Sequence, residues 1–141
     1  MHNAIEFSPL AKKSDHKTRL ASVSIPAGEP TDLATEFERL DLNEYLTEGK
    51  GDVFLIRVVG DSMEGEITHG DLLVVNRNLS PQPGDRVLAQ IGGGFTIKIY
   101  QPSRNCLRLV AANKKYQPRV VSRHDSFEIF GVVTHVLHKC R

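Results

Sequence analysis

Residues 86–100, RVLAQIGGGFTIKIY, indicate the fold more clearly than any other stretch. Apolar and polar residues alternate over Phe95–Tyr100, as they do in a strand with one buried face. The preceding run, Arg86–Ile91, is rich in branched apolar residues, and the glycines Gly92–Gly94 separate the two segments. This arrangement predicts a β-hairpin, because glycine readily adopts the positive φ angles of a tight turn.

Further strand-like runs lie on both sides of this hairpin, divided by Gly and Pro turns. They are Val53–Val59, Asp71–Asn76, Leu107–Ala111 and Phe127–Leu137. One short helix is predicted at Leu42–Glu48, with Asp41 as its N-cap and with Leu42, Tyr45 and Leu46 on one face. The sequence therefore predicts a mainly β fold with little helix.

Composition excludes several classes of protein. The 141 residues carry 18 Lys and Arg against 17 Asp and Glu, a balance that argues against a nucleic-acid backbone as the main ligand. There is no apolar run long enough to span a membrane and no signal-peptide pattern, so we expect a cytoplasmic protein. Two cysteines, Cys106 and Cys140, make no disulfide framework.

Charge is distributed unevenly and predicts three segments. Residues 1–27 sum to +2 and have few large apolar side chains, which predicts a mobile N-terminal arm. Residues 28–52 sum to −6 and form a linker that contains the short helix. Residues 53–141 sum to +5, contain all the predicted strands, and form the β-rich domain.

Ser62 is the first candidate for chemistry. It follows a strand end in the sequence Gly60-Asp61-Ser62-Met63, where a tight turn would expose its hydroxyl beside backbone N–H groups. That geometry suits a nucleophile and its oxyanion hole. The usual partner would be a histidine, but the six histidines form no recognisable triad motif, and His69 is interpreted as a turn residue.

Lys98 is the second candidate, because alternation places it with Thr96 and Tyr100 on the face opposite Ile97 and Ile99. If it faced solvent it would be an ordinary surface lysine. If it were buried, desolvation would lower the pKa of its amine, which could then accept the proton of Ser62. The apolar cover for this second reading would have to come from other elements.

Ala27-Gly28 is the third candidate. The bond joins two small residues in an extended segment flanked by Pro26 and Pro30. A protease can accept such a segment as a strand-like substrate, although the same features describe an ordinary linker.

Together these features resemble the LexA-type Ser/Lys autopeptidases over about residues 27–137. The motifs that carry the resemblance are Val58–Met63, Gly70–Val75, Pro83–Asp85 and Phe95–Lys98, with a finer likeness at Glu38–Asn43 and Phe130–Val136. Members of this family often have an apolar residue and a Pro/Ser-rich stretch after the cleavage-site glycine. This chain has Glu29–Leu33 there instead.

The resemblance implies a compact, strongly curled β catalytic domain, like that of LexA and signal peptidase, behind a cleavable arm. It implies Ser62 as nucleophile, Lys98 as general base, Ala27-Gly28 as the scissile bond and, by analogy, Met63 as an oxyanion-hole donor. The implied activator is a RecA–single-stranded DNA filament. The implied product is a trimmed homodimer that joins a UmuC-like Y-family polymerase subunit to copy past DNA lesions. No cofactor or metal is implied.

Three other interpretations compete with this one. A LexA- or phage-type repressor would need a helix-turn-helix domain, and residues 1–27 show no such pattern. A signal peptidase would need a membrane segment. A non-enzymatic β-barrel module could instead bind nucleic acid or protein through a basic face made of Lys98, Arg104, Arg108, Lys114, Lys115, Arg119 and Arg123.

The C-terminal sequence His135-x-x-His138-x-Cys140 offers three possible metal ligands, but no fourth is in view. On a strand, His135 and Cys140 would also point to opposite faces. We therefore predict no metal site here, and we interpret Cys106 as a small core residue.

Overall fold

A computed structural model describes residues 9–21, 25, 27–30, 32 and 37–141. These residues fall into two compact units. The large unit contains Pro9, Leu10 and Asp52–Arg141, and the small unit contains the described residues of Ala11–Gly51. The predicted boundary between residues 27 and 28 falls within the small unit and stays a prediction.

The described part of the chain is built mainly from strands, as predicted. Its elements in chain order are β1 (Thr18–Ala21), β2 (Phe37–Leu40), α1 (Leu42–Thr47), β3 (Val53–Arg57), β4 (Leu72–Asn76), β5 (Arg86–Ile91), β6 (Gly94–Pro102), β7 (Leu107–Val110), β8 (Arg119–Val121) and β9 (Phe127–Leu137). The six strands predicted from the sequence are all present, and β5 and β9 have the predicted bounds. Strands β1, β2 and β8 were not predicted, and β1 lies inside the segment interpreted as an arm.

The large unit is a seven-stranded sheet in the order β3-β4-β9-β5-β6-β7-β8. Every neighbouring pair is antiparallel. The last strand in the chain, β9, lies inside the sheet between β4 and β5. Because β3 and β8 stand at opposite ends of this order, the sheet is open and not closed into a barrel. The predicted strong curl of the domain is therefore a slight overstatement.

The small unit contains the antiparallel strand pair β1–β2 and the helix α1. The predicted N-cap is confirmed, because Asp41 Oδ1 accepts the Glu44 N–H at 3.1 Å. The other oxygen of Asp41 accepts the Ser14 N–H at 2.8 Å, and this bond is the main reason that the pKa of Asp41 is lowered. The predicted apolar face of the helix is not buried, since the side chains of Leu42 and Tyr45 are exposed.

The predicted hairpin of residues 86–100 is confirmed as β5–β6. Ile91 pairs with Gly94, so Gly92 and Gly93 form a two-residue loop. Their φ angles are +56° and +86°, the positive values that a type I′ turn requires at both central positions. A loop of this length fixes the register of the two strands, which places Lys98 opposite Val87.

Apolar clusters cover both faces of the sheet, because neighbouring residues of one strand point to opposite sides. Leu88 packs in a cluster with Met63, Ile67, Leu73 and Val75, and Phe95, Ile97 and Ile99 pack against it as the alternation predicted. Val87 packs on the other side with Ala89, Leu109 and Val132.

Strand β9 carries two bulges where it lies between β4 and β5. The register shifts between Val74 and Val75 of β4 and between Leu88 and Ala89 of β5, which places Thr134 and Phe130 at the two bulges. Beside the second bulge, Gly131 lies so close to β4 that an added Cβ would be 2.6 Å from Val75 Cγ1. Glycine is therefore required at this position by close approach.

We expect Gly131→Ala to lower the free energy of unfolding by about 1–3 kcal/mol, because the added methyl group overpacks a buried contact with Val75. Urea unfolding of the two proteins measures this difference. Gly94→Ala is the matched control: its Cβ would meet only the Ile91 carbonyl oxygen at 3.7 Å, an ordinary contact. Equal losses in the two variants would contradict this account.

Candidate active site

Ser62 lies in a turn that follows β3 and is fixed at both ends. Gly60 has a φ of +93°, and its N–H donates to His69 Nδ1 at 3.1 Å, which agrees with the interpretation of His69 as a turn residue. After Ser62, the chain is anchored by Met63 and Ile67, both fully buried in the core. The Ile67 N–H donates to the Met63 carbonyl at 2.9 Å. Gly60 permits the tight turn before the serine, and the buried side chains after it fix the position of the hydroxyl.

A second segment, which follows β7, clamps the same turn from the side. The Asn113 N–H donates to the Ser62 carbonyl at 2.9 Å, and Asn113 Nδ2 donates to the Asp61 carbonyl at 3.0 Å. The Tyr116 hydroxyl hydrogen-bonds to the Asp61 carboxylate, which raises the pKa of Tyr116. The sequence reading did not identify Asn113 or Tyr116 as site residues, because more than 50 positions separate them from Asp61.

The structure brings Ser62 and Lys98 together. Lys98 Nζ lies 2.9 Å from Ser62 Oγ, 3.1 Å from Thr96 Oγ1 and 3.2 Å from the Ile97 carbonyl oxygen. A neutral amine can satisfy all three of these partners. Two N–H groups can donate to Thr96 and Ile97, and the lone pair can accept the hydroxyl proton of Ser62.

Burial lowers the pKa of Lys98 below its ordinary value. The cover that the sequence left open comes from β5: Val87 pairs with Lys98, Ala89 pairs with Thr96, and both are fully buried. Cross-strand partners point to the same face, so these side chains flank the stem of Lys98. Lys98 is therefore half-buried and is not a simple solvent-facing lysine.

A cleft of about 220 Å³ opens beside Ser62. Its walls are the end of β3 with the residues that follow it, Ile56–Gly60, and the first part of β6, Phe95–Ile97. Met63 also lines this cleft, and within the part of the chain that the structure describes no hydrogen bond engages its backbone N–H. The cleft offers a channel between two extended segments, with a hydroxyl at its side.

The remaining candidate residues do not join this group. Ala27 and Gly28 are exposed and belong to the small unit. The proposed basic face is not a single surface: Arg119 pairs with Leu109 whereas Arg108 pairs with Val120, so adjacent positions of β7 and β8 place the two arginines on opposite faces.

The C-terminal histidines have other partners. His138 Nδ1 lies 2.6 Å from Asp71 Oδ1, and His135 Nδ1 lies 2.8 Å from Thr134 Oγ1. Cys106 is half-buried beside Ser103, which differs from the core position expected for it. No helix among the described residues has both the length and the hydropathy needed to cross a membrane.

Comparisons with known proteins show which family the chain is similar to. The model of the Peptidase S24-like family matches residues 20–134. Protein ImpA of Salmonella typhimurium is 39% identical over 120 residues, which cover 82% of this chain and 79% of ImpA. Protein SamA of Salmonella typhimurium strain LT2 is 40% identical over 119 residues, covering 82% and 81%. The LexA repressor of Sorangium cellulosum is 36% identical over 138 residues, covering 94% of this chain and 60% of the repressor.

The chain belongs to the Peptidase S24-like family, and it is a protein of the serine peptidase kind. Its similarity to ImpA, SamA and MucA makes it more particularly a UmuD-type protein of the SOS response. The resemblance found in the sequence is thereby confirmed.

Proposed function

We propose that this protein is an autopeptidase in which Ser62 attacks the Ala27-Gly28 bond and Lys98 acts as the general base. The observation that carries this proposal is the 2.9 Å contact between Ser62 Oγ and a half-buried Lys98 Nζ whose pKa is lowered. A serine hydroxyl is a weak nucleophile until a neighbouring base accepts its proton. A desolvated lysine can supply that base near neutral pH.

The reaction proceeds in two stages. Lys98 Nζ takes the proton of Ser62 Oγ while the oxygen attacks the Ala27 carbonyl carbon, and the Met63 N–H donates to the oxyanion that forms. The tetrahedral intermediate collapses, the bond to the Gly28 nitrogen breaks, and Lys98 returns the proton to that leaving amine. A water molecule then gives a proton to Lys98 and attacks the Ala27 ester carbon. The bond to Ser62 Oγ breaks, Lys98 returns the proton to that oxygen, and the Ala27 carboxyl group is released.

Cleavage divides the chain into residues 1–27 and a product of 114 residues, since 141 − 27 = 114. Removing the arm, which sums to +2, changes the net charge from +1 to −1. The change in charge is small, so we infer that the functional consequence is the loss of the arm itself. In this proposal residues 28–52 become the new N-terminal segment ahead of the β-rich domain.

The reaction should be slow until the cleavage segment lies in the cleft, and a factor that favours this docked state accelerates it by population shift. We propose the RecA–single-stranded DNA filament as this activator. We also propose that the trimmed chain acts in the cytoplasm as a homodimer. There it would serve as accessory subunit of a UmuC-like Y-family polymerase. The family and its UmuD-like relatives support this assignment.

We expect the purified wild-type protein to lose residues 1–27, slowly near pH 7 and faster near pH 10 or with RecA, single-stranded DNA and nucleotide. Intact-mass spectrometry measures the product directly. Ser62→Ala is the control and should stay whole in every condition, because it lacks the attacking oxygen. A wild-type protein that stays whole throughout, or a Ser62→Ala variant that is cleaved equally, would overturn the proposal.

A further inference from the structure

Two cavities flank the Ser62–Lys98 pair. The cleft described above is lined by Ser62, and a second cavity of about 460 Å³ is lined by Lys98. Phe95 and Thr96 line both cavities. Alternation along β6 places Ile97 of the first cavity and Lys98 of the second on opposite faces of the strand, so the two spaces lie on either side of β6. The second cavity also contains a charged pair, Arg119 and Asp125, which the mechanism does not use.

The chemistry of the proposed function determines which half of the substrate lies in each cavity. The acyl half of the substrate becomes bonded to Ser62, so the residues before the scissile bond occupy the cleft on the Ser62 side. The leaving amine receives its proton from Lys98 and must lie near Nζ. The residues that follow the scissile bond therefore continue into the second cavity. This inference rests on the proposed function.

Arg119 lies on the same face of the sheet as Lys98. Arg119 pairs with Leu109, Leu109 pairs with Tyr100, and Tyr100 is two residues from Lys98 on β6. The side chain of Arg119 is 54% exposed, and its recorded partner within the described ranges is Asp125, at 3.2 Å from Nη2 to Oδ1. A guanidinium has five N–H donors, so one such contact leaves several for a ligand carboxylate.

The cleavage segment carries a carboxylate just after the scissile bond, in the half of the substrate that enters the second cavity. Glu29 is the second residue after the Ala27-Gly28 bond, and its side chain is exposed. Pro30 follows it and restricts Glu29 to extended conformations, which limits the directions its side chain can take. With a rise of about 3.3 Å per residue, Glu29 lies about 7 Å along the extended segment from Ala27, on the leaving-group side of the scissile bond.

We propose that Arg119 is a specificity-determining residue that binds the Glu29 carboxylate when the cleavage segment docks. The second cavity is then the binding site for the residues after the scissile bond, and its preferred ligand is an acidic residue at the second position. Asp125 holds the guanidinium in place, since its other oxygen is fixed by the Ser122 N–H at 2.7 Å. The atypical acidic stretch after Gly28 becomes a recognition element matched to this arginine.

Rates of self-cleavage in the full chain test the proposal. We expect Glu29→Gln and Arg119→Gln each to slow cleavage by about three- to tenfold, as loss of a partly exposed charge-assisted pair implies. The double variant should be no slower than either single variant, because both changes remove the same interaction. The losses should shrink at high salt, because salt screens the interaction of two exposed charges.

Asp32→Asn and Arg123→Gln are matched controls, since each removes an exposed charge from the same segment or loop and should leave the rate unchanged. If Arg119 had only a structural role, Arg119→Gln would lower the melting temperature of the protein, and its effect on the rate would not depend on the residue at position 29. If wild type is cleaved but Glu29→Gln matches it, or if the two single effects simply add, Arg119 is not the determinant. If wild type is never cleaved, the proposed function fails and this inference fails with it.

Discussion

Replacing Lys98 with methionine should abolish self-cleavage of the full-length protein without lowering its free energy of unfolding. Methionine keeps an unbranched stem against Val87 but provides no base for Ser62. General-base catalysis contributes about 10²–10⁴-fold, so cleavage should fall below detection over the wild-type time course. Because a buried amine is costly to desolvate, the stability should change by less than about 1 kcal/mol or should rise. Intact-mass time courses and urea unfolding measure the two quantities.

Lys98→Arg is the control that separates charge from basicity. Arginine keeps the positive charge and can still donate hydrogen bonds to Thr96 and Ile97, but it stays protonated at any accessible pH. It should therefore be as inactive as the methionine variant. A Lys98→Arg protein that is cleaved at the wild-type rate would show that Lys98 contributes only its charge, which contradicts the proposed base.

The hairpin and the candidacy of Ser62 and Lys98 could be predicted because their signals are local. The pairing of the two residues, which lie 36 positions apart, came from the family resemblance. Alternation along β6 assigns Lys98 to one face, and the Gly60 turn exposes Ser62. The cover over Lys98 depends on the register of this hairpin. A two-residue Gly92-Gly93 loop fixes the register and places Val87 opposite Lys98. A three-glycine turn, by contrast, is compatible with more than one register, so the sequence pattern alone does not place Val87 opposite Lys98.

Other features depend on contacts between distant parts of the chain. The clamp of Asn113 and Tyr116 on the Ser62 turn joins segments more than 50 residues apart. Strand β8 has only three residues and follows Pro118, so it lacks a measurable alternation. The position of β9 inside the sheet depends on its pairing with both β4 and β5, which no local pattern encodes. Gly131, however, could have been noticed as a glycine within a long apolar strand, which often marks a bulge or a close approach.

The rate of self-cleavage should rise with pH and reach its plateau below the ordinary lysine pKa of about 10.4. Burial lowers the pKa of Lys98, and only the neutral amine can accept the Ser62 proton. Below that lowered pKa the neutral fraction increases about tenfold per pH unit, and above it the fraction is constant. Single-turnover rates from pH 6 to 11, followed by intact mass in the absence of RecA, give this profile.

The same ionisation predicts a change in stability with a definite sign. The pKa of Lys98 is lower in the folded protein than in the unfolded chain, so between these two values the unfolded chain binds more protons. Stability from this residue therefore increases as pH rises through that window, and it is lost as pH falls through the folded pKa. The difference in unfolding free energy between wild type and Lys98→Met isolates this contribution from other titrating groups. A rate plateau at the ordinary lysine pKa, with no pH dependence in that difference, would mean that Lys98 is solvated like a surface lysine and is not poised as the base.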